Sequence, residues 1–205
     1  MFVGRSADLA QVDELLAEAA AGNAGVLWLT GDPGVGKSAL VDVATRRARR
    51  RGLQTALVRA VPFGGATTAA LIDDLRRAVG GPSADLGARR PDRGTGTASL
   101  VDALVDELVG WARGAPSLVT IDDLTSADED SVAAVVGAVS RSMGLPLAVL
   151  LTGPDAVLPA STSDGASAAL ARWPQRRLGP LDTLAAAAVA RSALGPGASE
   201  RTVAA

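Results

Sequence analysis

The chain has 205 residues, of which 48% are hydrophobic and 20% are charged, and its formal net charge is −2. This balance is typical of one globular domain, with or without part of a second, and the small charge gives no reason to expect nucleic-acid binding by bulk electrostatics. The chain has no cysteine and no histidine, which excludes disulfides, thiolate or imidazole metal sites and Ser-His-Asp catalysis.

Hydrophobic periodicity predicts alternating helices and strands in the first half of the chain. Apolar residues recur at helical spacing after Ser6, which is the predicted N-cap of the first helix. The predicted elements, in chain order, are a helix over 6–21, a strand over 26–30, a helix over 37–51, a strand over 54–60 and a helix over 67–79.

The second half continues this alternation around two segments that lack periodicity. Residues 80–97 and 154–169 are rich in turn-forming residues, and we predict that both are exposed, mobile loops. The other predicted elements are a helix over 98–112, a strand over 118–121, a helix over 129–143 with Met143 in phase with its apolar stripe, a strand over 147–152, a strand over 176–178 and a helix over 182–194. Strands that alternate with helices imply an α/β fold, in which helices cover both faces of a parallel sheet.

Residues 31–38 read GDPGVGKS and match the phosphate-loop pattern G-x-x-x-x-G-K-S. Lys37 is the single lysine among 20 basic residues, so the other 19 are arginines. A compact ammonium suits a tight phosphate cradle, where the planar fork of arginine cannot replace it. The segment follows a predicted strand and opens a predicted helix, as the motif requires, and a plain glycine-rich turn is the alternative. The pattern predicts binding of a nucleoside triphosphate, above all ATP, together with Mg²⁺.

Each part of this loop has an expected role. Backbone N–H groups and the helix N-terminus surround the phosphates, Lys37 reaches the β- and γ-phosphate oxygens, and the Ser38 hydroxyl binds Mg²⁺. The residues expected to contact the nucleotide here are Gly31, Asp32, Pro33, Gly34, Val35, Gly36, Lys37, Ser38 and Ala39.

Two adjacent acids end the apolar strand segment LVTIDD over 118–123. At such a strand end, Asp122 is the expected Mg²⁺ ligand, acting through water, and Asp123 is the candidate general base for the attacking water. An ordinary strand end with surface acids is the alternative. Asp128 precedes the next helix, and we favour helix capping over nucleotide or Mg²⁺ contact for its side chain.

Two further patterns could suggest nucleic-acid binding but have simpler explanations. The arginine-rich run over 46–51 ends a helix, where cations suit the helix dipole. We expect Trp28, Trp111 and Trp173 to pack in the core. No stretch approaches the roughly 18 apolar residues of a membrane span, and the N-terminus lacks the pattern of a signal peptide, so we expect a cytoplasmic location.

Segments on both sides of the loop resemble the Orc1-like AAA-type ATPase module. This module also occurs in the STAND class of signalling ATPases and in large ATP-binding regulators of the LuxR type. The similar segments are FVGR over 2–5, the phosphate loop, LVTIDDLTSADEDS over 118–131, the sensor-like strand over 147–152, and LGPL over 178–181 at the start of a helical lid. The resemblance covers nearly the whole chain and keeps order and spacing.

The resemblance implies a P-loop NTPase three-layer sandwich with a mainly parallel five-stranded sheet and the phosphate-loop strand near its centre. It implies that Val3, Gly4 and Arg5 lie beside the nucleotide base and that Thr152 is the polar sensor. It also implies an ATPase core over 1–180 and the start of a helical lid over 181–205.

The chain departs from the family pattern at several positions. Thr125 and Ser126 stand where an aromatic residue is common, and Gly153 and Pro154 follow Thr152 where an arginine often lies near the γ-phosphate. We find neither the Gly-x-Pro segment of the lid nor a helix-turn-helix, and we expect the chain to be the N-terminal part of a larger regulator or a truncated relative.

The leading hypothesis is an ATP-binding module that hydrolyses ATP slowly, as the nucleotide switch of a transcriptional or signalling regulator. The alternatives are a small-molecule kinase, whose second substrate Arg89, Arg90 and Arg93 could bind, and a nucleotide-binding remnant without turnover. A GTPase is disfavoured because its Asn-Lys-x-Asp segment needs a second lysine. Expected partners are ATP or ADP, and further copies of the chain or further domains of a larger regulator, without direct contact to nucleic acid or membrane.

Overall fold

The computed structural model describes residues 3–60, 70–80, 97–154 and 164–194. Most of the predicted loop over 80–97, with Arg89, Arg90 and Arg93, lies outside these residues. Phe2, the first part of the predicted loop over 154–169 and the C-terminal segment over 195–205 lie outside them as well.

Helices and strands alternate along the described chain. The helices are α1 (Ser6–Ala20), α2 (Lys37–Arg50), α3 (Ala70–Gly80), α4 (Thr97–Ala112), α5 (Glu129–Arg141), α6 (Asp164–Arg172) and α7 (Thr183–Leu194). The strands are β1 (Gly25–Thr30), β2 (Gln54–Arg59), β3 (Ser117–Asp122), β4 (Leu147–Thr152) and β5 (Gln175–Arg177). None of the helices in the described ranges is long and apolar enough to cross a membrane.

The five strands form one sheet in the order β2-β3-β4-β1-β5, and every neighbouring pair is parallel. The predicted α/β architecture with a five-stranded parallel sheet is confirmed. β1 lies between the central strand β4 and the edge strand β5, one position from the centre of the sheet. Because all the strands run in one direction, their carboxyl ends share one edge of the sheet.

Each face of the sheet has its own apolar core. Successive side chains of a strand point to opposite faces, so Val26 and Trp28 of β1 pack on one face, and Leu27 and Leu29 on the other. The first face is covered by α3, α4, α5 and α6, and the second by α1 and α2. The prediction that the tryptophans pack in the core is confirmed: Trp28 is buried, and the other two are partly buried against the same core.

Ion pairs explain part of the arginine-rich end of α2. Arg47 and Arg51 both bind the Asp13 carboxylate of α1, the latter at 2.9 Å. Arg49 donates to the Thr55 hydroxyl at the start of β2, at 2.9 Å. These arginines therefore attach the end of α2 to its neighbours in the fold, in agreement with a structural role.

Two predicted helix ends are wrong. Ser6 is the first residue of α1, and Arg5 occupies the N-cap position without a side-chain capping bond, because a guanidinium has only donors and cannot accept from the helix N–H groups. α5 ends at Arg141, and Ser142 closes it with a hydroxyl that donates to a carbonyl of the last turn. Met143 therefore lies beyond the helix, with 43% of its surface exposed.

The predicted loop over 154–169 is wrong in its last part, because α6 begins at Asp164. Ala166 and Leu170, one helical turn apart, are buried against the core formed with α5. Serine and glycine in this segment suggested a turn, but two small apolar contacts are enough to hold a short alanine-rich helix against the core.

Candidate functional site

Three neighbouring strands end together at the carboxyl edge of the sheet. β1 ends at Thr30 and continues into the phosphate loop, β3 ends at Asp122, and β4 ends at Thr152. These strands are adjacent in the order β3-β4-β1. The fold thus brings the loop and the acids to one edge, where ligands of parallel sheets bind.

The loop backbone depends on its glycines. Gly34 and Gly36 have φ values of +78° and +103°, and Gly36 is the N-cap of α2. Gly31 has a φ of +146°, and a Cβ atom there would lie 2.6 Å from the carbonyl oxygen of Leu178. Residues with side chains rarely adopt these conformations. The backbone path of the loop therefore requires glycine at these three positions.

The side chain of Lys37 folds back over the loop. Its Nζ donates to the carbonyl oxygens of Gly31 at 2.7 Å and Asp32 at 3.1 Å. The N–H groups of Lys37, Ser38 and Ala39 open α2 and cannot bond within the helix, and the described residues provide no acceptor for them. An ammonium and free N–H donors at a helix N-terminus together form a site for an anion.

The N-terminal segment contacts the loop directly. Arg5 is buried, and its Nη2 donates to the carbonyl oxygen of Val35 in the loop at 2.7 Å. Asp8 is paired with Arg5 at 3.5 Å and accepts from Nε of Arg176 in β5 at 2.6 Å. Gly4 packs against Ala185 of α7. The family resemblance implies that Val3, Gly4 and Arg5 lie near the ligand, but it does not indicate the ion pairs of Arg5, Asp8 and Arg176.

The Thr152 hydroxyl forms hydrogen bonds with both Asp122 and Asp123 at the end of β3. Thr152 Oγ1 donates to Asp122 Oδ1 at 2.7 Å and accepts from the backbone N–H of Asp123 at 2.8 Å. Asp122 is only 4% exposed, whereas Asp123 is exposed to solvent. Asp123 is the single non-glycine residue with positive φ among the described residues, at +62°. Its carboxylate accepts a hydrogen bond from the Ser126 hydroxyl at 2.6 Å.

Asp128 has the capping role that the sequence predicts. Its carboxylate accepts from the backbone N–H of Ser131 at 2.9 Å and from the Ser131 hydroxyl at 2.6 Å. It begins α5 as a side-chain N-cap. These contacts support the structural interpretation of this acid.

Sequence reasoning also missed Arg59, the last residue of β2. Its Nε lies 3.4 Å from Asp122 Oδ2, and its Nη2 lies 3.4 Å from Asp42 Oδ1 of α2. Arg59 stands opposite Asp122 in the parallel register of β2 and β3. Only the pairing of these strands could have revealed the contact, because the two residues are far apart in sequence.

A family model described as an AAA ATPase domain matches residues 1–152 of the chain. The chain belongs to the AAA ATPase domain family. The match includes the phosphate loop, the adjacent acids and Thr152, which the fold assembles at one edge of the sheet. A search of curated proteins finds no match.

Solved structures share the fold of this AAA ATPase domain at low sequence identity. Cdc6p from Pyrobaculum aerophilum has a TM-score of 0.71 and 17% identity, and the match covers 99% of this chain and 54% of that one. ORC from Drosophila, bound to DNA, has a TM-score of 0.66 and 18% identity over 93% and 47% of the two chains. ORC2 from Aeropyrum pernix, in ADPNP-ADP complexes, has a TM-score of 0.60 and 17% identity over 93% and 51%. This chain spans about half the length of each of these proteins.

The residues of the AAA ATPase domain fit a nucleotide with Mg²⁺. The cationic side chain and free N–H donors of the loop suit phosphate oxygens, while the Ser38 hydroxyl and the Asp122 carboxylate are hard oxygen donors of the kind that Mg²⁺ prefers. No group of three acids arranged to hold a metal ion by itself occurs in the described part of the chain.

Proposed function

We propose that this AAA ATPase domain binds ATP with Mg²⁺ and hydrolyses it slowly, as the nucleotide switch of a transcriptional or signalling regulator. The observation that carries the proposal is the phosphate loop placed beside Asp122, Asp123 and Thr152 at the carboxyl edge of the sheet. A glycine-rich turn without a ligand would need neither a lysine side chain folded over it nor two acids at the end of a nearby strand.

Nucleotide binding would use the residues of the loop and its surroundings. The backbone from Gly31 to Ala39 would surround the phosphates, with Lys37 exchanging its two carbonyl partners for phosphate oxygens. Ser38 and Asp122 would hold Mg²⁺, which neutralises charge on the β- and γ-phosphates when bound. Val3, Gly4 and Arg5 would lie at the base. Because Arg5 already holds the Val35 carbonyl and Asp8, its contribution would be to position the loop.

Hydrolysis would depend on Asp123 as the general base. Its carboxylate is exposed and can reach a water molecule, while Asp122 is buried and held by Thr152. The Ser126 hydroxyl donates a hydrogen bond to the Asp123 carboxylate and holds it in place. With Gly153 and Pro154 in place of a sensor arginine, the transition state lacks one cation from this chain, which supports slow turnover.

The wider setting is also part of the proposal. The STAND and LuxR-type context rests on the sequence resemblance, with an ATPase core over 1–180 and a helical lid that starts in 181–205. Nucleotide complexes of the Aeropyrum pernix neighbour support a nucleotide ligand. The Drosophila neighbour is bound to DNA. In this chain the net charge is −2 and Arg47 and Arg51 are paired with Asp13, so we do not include DNA among the proposed partners. Further domains or copies of the chain are the proposed partners.

Calorimetric titration with ATP and Mg²⁺ tests the proposal directly. Wild type should bind, and Lys37→Ala should lose at least about tenfold in affinity, because it removes a charge-assisted contact to phosphate. Arg46→Ala is the matched control, since Arg46 is an exposed cation further along the same helix and should leave the affinity unchanged. Equal binding by wild type and Lys37→Ala would refute the role of the loop.

Binding without turnover is the second candidate, and the missing sensor arginine favours it. Phosphate release by wild type, abolished in Asp123→Asn while ATP affinity is retained, would support the hydrolysing switch. Affinity without detectable phosphate release would assign a binding module instead.

A further inference from the structure

The geometry points to Arg59 as a positioning residue that competes with Mg²⁺ for the Asp122 carboxylate. The inference rests on the proposed nucleotide-binding function and adds to it a cation from β2, a strand that the known motifs do not include. Arg59 would tune how strongly nucleotide binding depends on Mg²⁺.

The position of Arg59 is defined by three elements. It ends β2 directly opposite Asp122 of β3, with Nε 3.4 Å from Asp122 Oδ2. Its Nη2 reaches Asp42 Oδ1 at 3.4 Å. Asp42 follows Ser38 by one turn of α2, so both lie on one face of that helix. The guanidinium therefore lies between the helix that carries Ser38 and the strand that ends in Asp122. Ser38 and Asp122 are the two proposed Mg²⁺ ligands.

Arg59 and Mg²⁺ would compete for the Asp122 carboxylate for electrostatic reasons. The Asp122 side chain is 6% exposed, and a buried carboxylate needs compensation. Thr152 serves Oδ1, and among the described residues Arg59 is the cationic side chain that pairs with Oδ2. Lys37 donates to carbonyl oxygens of the loop instead. Because Mg²⁺ would compensate the same carboxylate, and like charges repel at short range, binding of Mg²⁺ weakens the Arg59 pair.

Arg59 can leave Asp122 without a change in the backbone. Its side chain is 57% exposed, and solvent screens the pair enough for a divalent ion to displace it. Asp42, whose side chain is 46% exposed, remains as a second partner for the released guanidinium. The competition should therefore change the Mg²⁺ dependence of binding by a few-fold, the scale of a half-exposed ion pair.

The affinity for the ATP analogue AMPPNP, measured by calorimetry with saturating Mg²⁺ and with EDTA, tests the competition. The ratio of the Kd in EDTA to the Kd in Mg²⁺ should rise by about two- to fivefold in Arg59→Gln. Arg77→Gln is the matched control, because Arg77 is 54% exposed and pairs with Asp74 on α3, away from the loop. Its ratio should equal that of wild type. An unchanged or lower ratio in Arg59→Gln, with wild type binding normally, overturns the inference alone, whereas no binding by wild type refutes the proposed function.

A double-mutant cycle without nucleotide tests the pair independently. Arg59→Gln should lower the melting temperature by about 2 °C, because Asp122 loses its cation. In the Asp122→Asn background the same substitution should have less than half that effect. Equal losses in both backgrounds would show that Arg59 does not act through Asp122, and would overturn the inference whatever the protein binds.

Discussion

Thr152 is the residue whose role the structure changes most. The family resemblance makes it a sensor beside the γ-phosphate, but its only proton is donated to Asp122 Oδ1 and its oxygen accepts from Asp123 N–H. A hydroxyl has one proton, so Thr152 cannot donate to phosphate while it holds Asp122. We therefore propose that Thr152 positions Asp122 and Asp123 when no nucleotide is bound, while its role as a sensor stays a prediction.

We predict that Thr152→Val destabilises the protein by about 1–3 kcal/mol, because it leaves a buried carboxylate oxygen without its donor. Thr120→Val is a matched control in the neighbouring strand β3. Thr120 is fully buried as well, but its hydroxyl has no hydrogen-bond partner in the described part of the chain, so the control should be neutral or slightly stabilising. Urea denaturation followed by circular dichroism measures both. Equal losses would show that the Thr152 hydroxyl contributes no more than one without a partner.

Residues of the site that belong to contiguous motifs could be predicted from the sequence, whereas residues that reach the site through tertiary contacts could not. The phosphate loop and the adjacent acids are contiguous, and each requires only its own strand as context. Arg59 and Arg176 reach their partners through strand pairing and side-chain packing, which no local pattern encodes. Ser6 has the residue type and the position of an N-cap, and no local pattern indicates that Arg5 takes that position while its guanidinium binds the loop.

At the scale of elements, the N-terminal segment connects the phosphate loop to α7. Arg5 holds the loop at Val35, Asp8 joins Arg5 to Arg176 of β5, and Gly4 lies against Ala185 of α7. These contacts place the loop, β5 and α7 in one continuous set of packed groups. A lid that responds to nucleotide would need such a connection.

Gly4→Ala tests the contact between this segment and α7. The new Cβ would lie 2.4 Å from the Ala185 Cβ, at a φ of +74° that already disfavours a side chain. We expect a loss of about 2–4 kcal/mol in the free energy of unfolding, with faster hydrogen exchange in α7.

Gly22→Ala is the control that separates the cost of a steric clash from the cost of an unfavourable backbone conformation. Gly22 has a φ of +95°, but no atom of the described residues would lie within 4 Å of the new Cβ atom. The control should lose only the conformational cost of about 1–2 kcal/mol and leave exchange in α7 unchanged. Similar losses in both variants would show that the contact with Ala185 adds nothing.

Element prediction is accurate where a continuous apolar run or a helical apolar stripe is strong, and it fails where the apolar pattern is weak. Strands such as β4 and long helices such as α4 agree with their predicted ranges to within a few residues. α6 was missed because its apolar face consists of Ala166 and Leu170 only. The order of strands could not come from periodicity at all, since it depends on which crossovers the whole chain makes.

Nucleotide binding at the loop should raise the stability of the whole folded protein, because the site is assembled from segments that come together only in the folded chain. A ligand that binds only the folded state at 100 times its Kd stabilises it by about 2.7 kcal/mol, which raises the melting temperature of a domain of this size by about 5–10 °C. We expect ATP with Mg²⁺ to give such a shift, and Lys37→Ala to lose most of it while Arg46→Ala keeps it. GTP at the same concentration should give less than half the shift, because a single lysine, already in the phosphate loop, leaves none for the guanine-specifying segment. Differential scanning fluorimetry at matched concentrations measures all four conditions. Equal shifts with ATP and GTP would contradict the preference for adenine, and a full shift in Lys37→Ala would locate the nucleotide away from the loop.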